Sequence, residues 1–183
     1  MSDARLTATT YAVLGLLTFG EMSGYDALKL ARRSIGHFWT PARSHVYAEL
    51  RRLAELGLAS ERHVEQSGKP DKRMYAITPA GRTALREWLA DPDVPPDQLK
   101  SPFTLKVFFG NLIPKESLIG QVKEVRRRAQ DHLAELLAIE QQIRDEDRFF
   151  YPYLTLKAGV AHARADLDWA DDTIKELQRR EDG

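Results

Sequence analysis

The stretch from Thr40 to Gly81, TPARSHVYAELRRLAELGLASERHVEQSGKPDKRMYAITPAG, changes its periodicity midway, and that change restricts how the chain can fold. Val46, Leu50 and Leu53 recur at intervals of four and three, the spacing of one buried stripe on an amphipathic helix. Thr40 supplies a capping hydroxyl, and Pro41 after it lacks an N–H that the first turn would leave unpaired anyway, so the helix is predicted from Pro41 to about Leu56. Gly57 stops it. Leu58 to Val64 then alternates apolar and polar residues as a half-buried strand does, Gly68-Lys69-Pro70-Asp71-Lys72 makes a turn, and Arg73 to Ile77 returns as a second strand. The segment reads as a helix followed by a hairpin with a basic tip.

Two helices are predicted before it. Residues 9–18 place Val13, Leu14, Leu16 and Leu17 on one apolar face, and Gly20 ends that helix. Ser23 with Asp26 three residues on has the capping-box form, so a second helix runs from Gly24 to about Ile35. It is expected to turn Tyr25, Leu28 and Ala31 or Leu30 inward, with Lys29, Arg32 and Arg33 outside. Phe38 and Trp39 are expected in the core. Thr78 before Pro79 repeats the capping pattern and opens a fourth helix.

Three helices followed by a two-stranded hairpin make a winged helix-turn-helix, in which the third helix enters the major groove and the hairpin tip lies along neighbouring phosphates. Base reading would fall to Arg43, Ser44, His45, Tyr47 and Arg51, with arginine best suited to the O6 and N7 acceptors of guanine. Lys69, Lys72 and Arg73 would neutralise phosphates without reading sequence. Tyr47 also fits a packing residue at the edge of the helix, since its ring is apolar and only its tip polar.

Charge agrees with a divided molecule. The chain has 183 residues, with 27 cationic and 27 acidic side chains. Residues 1–90 carry 13 Lys or Arg against 9 Asp or Glu, a net of +4, and residues 91–183 carry 14 against 18, a net of −4. A mildly basic module attached to a part with another task fits that asymmetry. No cysteine is present, which excludes disulfides, thiolate metal sites and cysteine nucleophiles. The five histidines lack any spacing that would put two ligands on one helical face, so neither a metal nor another cofactor is expected. No apolar run approaches the ~20 residues of a membrane helix, and the N-terminus lacks the pattern of a signal peptide, so the expected location is the cytoplasm.

A different organisation begins after residue 90. The segment DPDVPPDQLKSP holds Pro92, Pro95, Pro96 and Pro102 and resists helix, which marks residues 91–102 as a linker between a domain at 1–90 and another at 103–183. Phe103, Val107, Phe108 and Phe109 are too numerous for a free surface. From Pro114 to about Asp147 the steps alternate between four and three through Leu118, Val122, Val125, Ala129, His132, Leu136, Ile139 and Ile143. A last helix repeats the device with Leu156, Val160, Ala163, Leu167, Ala170, Ile174 and Leu177. Two such stripes are not expected to be buried within one half by folding on each other alone, so both helices are expected to pack across a two-fold axis in a coiled-coil-like homodimer, with an intramolecular helical hairpin as the alternative. His132 reads either as a sensor within the stripe or as a tolerated polar residue. Phe149, Tyr151 and Tyr153 at the bend, with Trp169, are candidates to stack on a small aromatic effector, or else simply to pack.

At this point the residues match a known pattern. The runs TYAVLGLLTFGEMSGYDALK, SHVYAELRRLAELGLASE and SGKPDKRMYAITPAGRTALREWL resemble the PadR family of bacterial transcriptional regulators, and the long helical C-terminal half resembles its larger, virulence-activator-like subfamily. The resemblance implies a dimeric winged-helix repressor that leaves a pseudo-palindromic operator in double-stranded DNA when a small molecule or other signal arrives. It also implies that Tyr25 and Tyr47 lie near the DNA backbone and Lys69 in the wing. Asp71 departs from the usual basic composition of that wing. Against this stand a winged-helix module used only for protein contacts, and a small hydrolase. No Ser/His/Asp arrangement, phosphate-cradling glycine loop or carboxylate pair supports the hydrolase.

Overall fold

A pair of threonines opens the first helix. In the computed structural model, which describes residues 6–40, 42–65, 72–94 and 101–180, Thr7 caps helix α1 (Ala8–Leu16) and Thr10 bonds back to the Thr7 N–H. The exchange satisfies two orphan donors at the helix end, which lets Thr10 be wholly buried without cost. A 3₁₀ turn (Leu17–Phe19) and Gly20 follow. Helix α2 (Gly24–Ser34) carries the expected capping box, with Ser23 Oγ accepting from the Asp26 N–H and Asp26 accepting from the Ser23 N–H.

Helix α3 spans Arg43–Glu55 and differs at its start from the sequence-based expectation. Its cap is Ala42, which offers no side-chain acceptor. Thr40 instead donates its hydroxyl to the Gly36 carbonyl, 2.8 Å away, finishing the preceding turn; Pro41 lies outside the described residues. The buried stripe is as predicted: Val46, Leu50 and Leu53 have no exposed surface. Each contributes about 1.5–3 kcal/mol of burial to the cluster formed with Val13, Leu14, Leu17, Ala27, Leu28 and Ala31. Gly57 ends the helix with φ of +71°, a left-handed conformation that suits a residue without Cβ.

The hairpin consists of β2 (Ala59–Val64) and β3 (Lys72–Ile77), antiparallel with Ala59 opposite Ile77 and Val64 opposite Lys72. A third strand, β1 (Met22–Ser23), pairs with the other edge of β3, so the sheet order is β1-β3-β2. Two residues are too few to leave an alternation in the sequence. The half-buried alternation expected of β2 does not form: Ala59 is buried, Ser60 to His63 are exposed, and Val64 is half-buried. As the outer strand of the hairpin, β2 has little to rest on. The turn residues Gly68 to Asp71 lie outside the described residues. Helix α4 (Pro79–Ala90) starts at the predicted Thr78 cap, where Thr78 also donates to the Gly57 carbonyl and ties the helix to the base of the hairpin. Trp88 stacks on Tyr11 at a centroid distance of 4.6 Å.

Three aromatic expectations are corrected. Tyr25 points outward and is 63% exposed, because Ala27, Leu28 and Ala31 form the inner face of α2. Phe38 is exposed and Trp39 only half-buried, since the turn after α2 runs over the surface.

The chain divides into two compact units, Met1–Pro95 and Pro96–Gly183. In the second, Ser101 caps α5 (Pro102–Phe108), and two long helices follow, α6 (Lys115–Ile143) and α7 (Phe150–Arg179), joined through a 3₁₀ turn at Asp147–Phe149. Leu118 and Val122, early in α6, meet Ala170 late in α7, while Leu136, late in α6, meets Leu156, Val160 and Ala163 early in α7. The helices therefore run antiparallel. Arg126 and Asp171 join them by an ion pair.

This pairing corrects the expectation that the two stripes could not bury each other. Leu118, Val122, Leu136, Leu156 and Val160 are buried within a single chain, and Val125, Ile143, Leu167, Ile174 and Leu177 are half-buried. Of the residues predicted for dimerisation, Ile139 alone is exposed, at 38%. Two stripes of alternating three- and four-residue steps satisfy each other when the chain reverses between them.

Candidate nucleic-acid interface

The exposed face of α3 carries Arg43, Ser44, His45 and Arg51, with Tyr47 half-buried between them. Helical spacing gathers Arg43, Ser44, Tyr47 and Arg51 on one side, while His45 falls about 160° round the helix from Arg43, at the far edge of the exposed arc. Tyr47 and Arg51 form a common wall between two open clefts. One cleft is completed by Ser23, Gly24, Tyr25, Lys72, Arg73 and Tyr75, which brings the start of α2 and the base of the wing together beside α3. The other is bounded by Arg43 and Ser44. The predicted Tyr25, Lys72 and Arg73 therefore converge on α3; Lys69 lies outside the described residues.

The electrostatics are less simple than the sequence suggested. Lys72 Nζ lies 2.9 Å from the Asp26 carboxylate, and Arg73 lies 3.1 Å from Glu61. Further along β2, Arg62 holds Glu21 with two bonds of 3.1 and 2.7 Å. The Ser23 hydroxyl, then Lys72, hold the Asp26 carboxyl below its ordinary value. Burial, followed by the Glu61 carboxylate, pushes the Tyr75 phenol up. Such exposed pairs are worth about 0–1 kcal/mol, so a phosphate can displace them, but the cations of the wing's base are not idle. On α3, Arg43 and Arg51 have no carboxylate partner among the described residues. Arg43 instead sits 5.6 Å over the ring of Tyr47.

Sequence reasoning missed these ion pairs. Ser23 and Asp26 were legible as a cap, but nothing local shows that Asp26 also takes a lysine 46 residues away.

The predicted effector aromatics do not come together. Phe149, Tyr151 and Tyr153 lie at the turn between α6 and α7, whereas Trp169 packs edge-on against Phe103 near the other end of the pair. The 19-residue step from Phe150 to Trp169 corresponds to about 28 Å of helix. Within one chain, a single site cannot include all four. His132 sits at the margin of the packed face, 4.0 Å from Glu135. Among the described residues no group of histidines and carboxylates could hold a metal ion, and no helix is long and apolar enough to cross a membrane.

Comparison with known proteins fits this geometry. Residues 13–87 match the transcriptional regulator PadR-like family, and residues 99–178 match the virulence activator alpha C-terminal family. The negative transcriptional regulator PadR of Bacillus subtilis is 27% identical over 176 residues, spanning 92% of this chain and 97% of that protein. The crystal structure of Bacillus subtilis PadR in complex with operator DNA superposes with a TM-score of 0.82 at 26% identity, covering 93% of this chain and 99% of the other. The Vibrio cholerae virulence activator AphA superposes at 0.72 with 27% identity, covering 93% and 98%. With a winged helix at residues 13–87 that matches the PadR-like family, a paired-helix half at 99–178 that matches the virulence activator alpha C-terminal family, and end-to-end likeness to PadR and AphA, the chain is built as PadR-like transcriptional regulators are.

Proposed function

We propose that this chain is a cytoplasmic repressor without enzymatic activity that binds a pseudo-palindromic operator as a homodimer and is released by a small molecule or other signal. Residues 1–90 read DNA, 91–102 link, and 103–183 dimerise. The observation that carries the reading is the pair of arginines on α3, Arg43 and Arg51, exposed without a carboxylate partner among the described residues, beside a cleft that gathers Tyr25, Lys72 and Arg73. The end-to-end likeness to a PadR solved in complex with operator DNA supports operator binding. Ser44, His45 and Tyr47 complete the reading set, and Lys69 adds phosphate contact at the wing. The homodimer draws on what the α6–α7 pair leaves open, Ile139 first. An aromatic effector would engage the exposed aromatics at the α6–α7 turn, Tyr151 foremost, rather than Trp169.

A second reading, a winged-helix oligomerisation module without sequence-specific DNA binding, draws on the internal ion pairing of Lys72 and Arg73. Salt separates the two. A repressor's affinity for duplex DNA falls steeply with salt, in proportion to the phosphates neutralised. Fluorescence anisotropy titrations on operator and random duplexes are expected to show Arg51→Ala weakening operator binding by about 1–3 kcal/mol and random binding less, whereas Lys69→Ala weakens both alike. Equal losses on both duplexes for both variants would defeat these roles.

A further inference from the structure

Gly24 occupies the first position of α2 and is buried, and its φ is not among the positive glycine values of the described residues, which belong to Gly20 and Gly57. Its backbone is therefore open to any L-residue, and alanine there would be the better helix former. Space, not conformation, calls for glycine. A Cβ placed on Gly24 would lie 2.6 Å from Cε1, 2.8 Å from Cδ1 and 3.0 Å from Cζ of Tyr47, well inside van der Waals contact. The Tyr47 ring lies directly against the first turn of α2.

On α3 itself, one turn before Tyr47, Arg43 places its guanidinium carbon 5.6 Å from the ring centroid, within reach of a cation–π contact. The ring thus has a glycine on α2 and a cation beside it on α3. Tyr47 also lines both clefts of the interface, so any displacement of its ring changes the walls of each.

We propose that Gly24 and Tyr47 are a positioning pair for Arg43: the missing side chain at Gly24 lets the Tyr47 ring seat against α2, and the seated ring sets the guanidinium in the orientation that meets base edges. The role of Tyr47 is then its aromatic face, beyond any contact its hydroxyl makes with the DNA backbone. Gly24 acts only through Tyr47. This rests on α3 being the operator-reading helix.

The test uses the full chain and the duplex that the wild-type protein selects from a random pool, with Kd measured on that duplex and on a scrambled one. Gly24→Ala is expected to lower the cognate-to-scrambled affinity ratio about tenfold, the scale of one base contact put out of line, without a lower thermal midpoint. Tyr47→Phe, which keeps the ring, is expected to retain more of the ratio than Tyr47→Leu, which removes it, and adding Gly24→Ala to Tyr47→Ala changes nothing more, as coupling through one contact requires. A wild-type ratio in Gly24→Ala, or an equal further loss in the Tyr47→Ala background, overturns the proposal. Should Gly24→Ala not fold, the Phe and Leu variants decide: equal ratios in these two overturn it. If the wild-type chain selects no duplex at all, the operator-reading role of α3 fails instead.

Discussion

Asp26 is a single carboxylate with three partners: the Ser23 N–H, the Ser23 hydroxyl and the Lys72 ammonium. It closes the cap of α2 and ties that cap to the wing's base, so it joins local structure to tertiary structure in one side chain. Its folded pKa is lowered from 3.8, so its stabilisation is fully present above that value and is lost as pH falls through the lower folded value. At 44% side-chain exposure the effect is small, at most about 1 kcal/mol. In acid unfolding monitored by circular dichroism, wild type and Asp26→Asn should differ at neutral pH and converge below pH 3.8. The same variant frees Lys72, so binding to random duplex is expected to strengthen and its salt slope to steepen by about 0.9. An unchanged slope would mean that Lys72 gives nothing to phosphate even when released.

At the scale of elements, the side-chain caps at Ser23 and Thr78 were legible, whereas those at Thr7 and Ser101 were not. Ser23 and Thr78 cap as their sequence says, because donor and acceptor sit three residues apart. Thr40 has the same signature but spends its hydroxyl backward on Gly36, a choice made by the turn after α2 rather than by the capping pattern. The α6 and α7 stripes were legible as apolar faces, yet their partner was not, because periodicity states that a face is buried without saying against what. Since the partner is the neighbouring helix, Leu136→Ala should destabilise the α6–α7 pair by about 2–5 kcal/mol in urea unfolding. Ile139→Asp, at an exposed site, should leave that pair folded and shift sedimentation toward the monomer. A dimer indifferent to Ile139→Asp would place the interface elsewhere.

For the whole molecule, one copy of α3 offers two arginines without a carboxylate partner among the described residues, so on the proposed reading specificity calls for two copies. Two recognition helices on a two-fold axis read half-sites about 34 Å apart, and footprinting should show two protected half-sites with that spacing. Truncation after Ala90 should yield a monomer with much weaker operator binding, measured by sedimentation and anisotropy. A truncated protein that still dimerises would move the interface to the first unit. By itself, the sequence determined the order of the first four helices and the hairpin, the Val46-Leu50-Leu53 stripe and two of the helix caps, since each depends on neighbours within a turn or two. Tertiary structure alone decided that Tyr25 faces outward, that β1 joins the sheet, that Lys72 and Arg73 are paired, and that α6 and α7 satisfy each other. Those outcomes depend on groups dozens of residues apart, whose meeting is set by packing and by charge rather than by any local period.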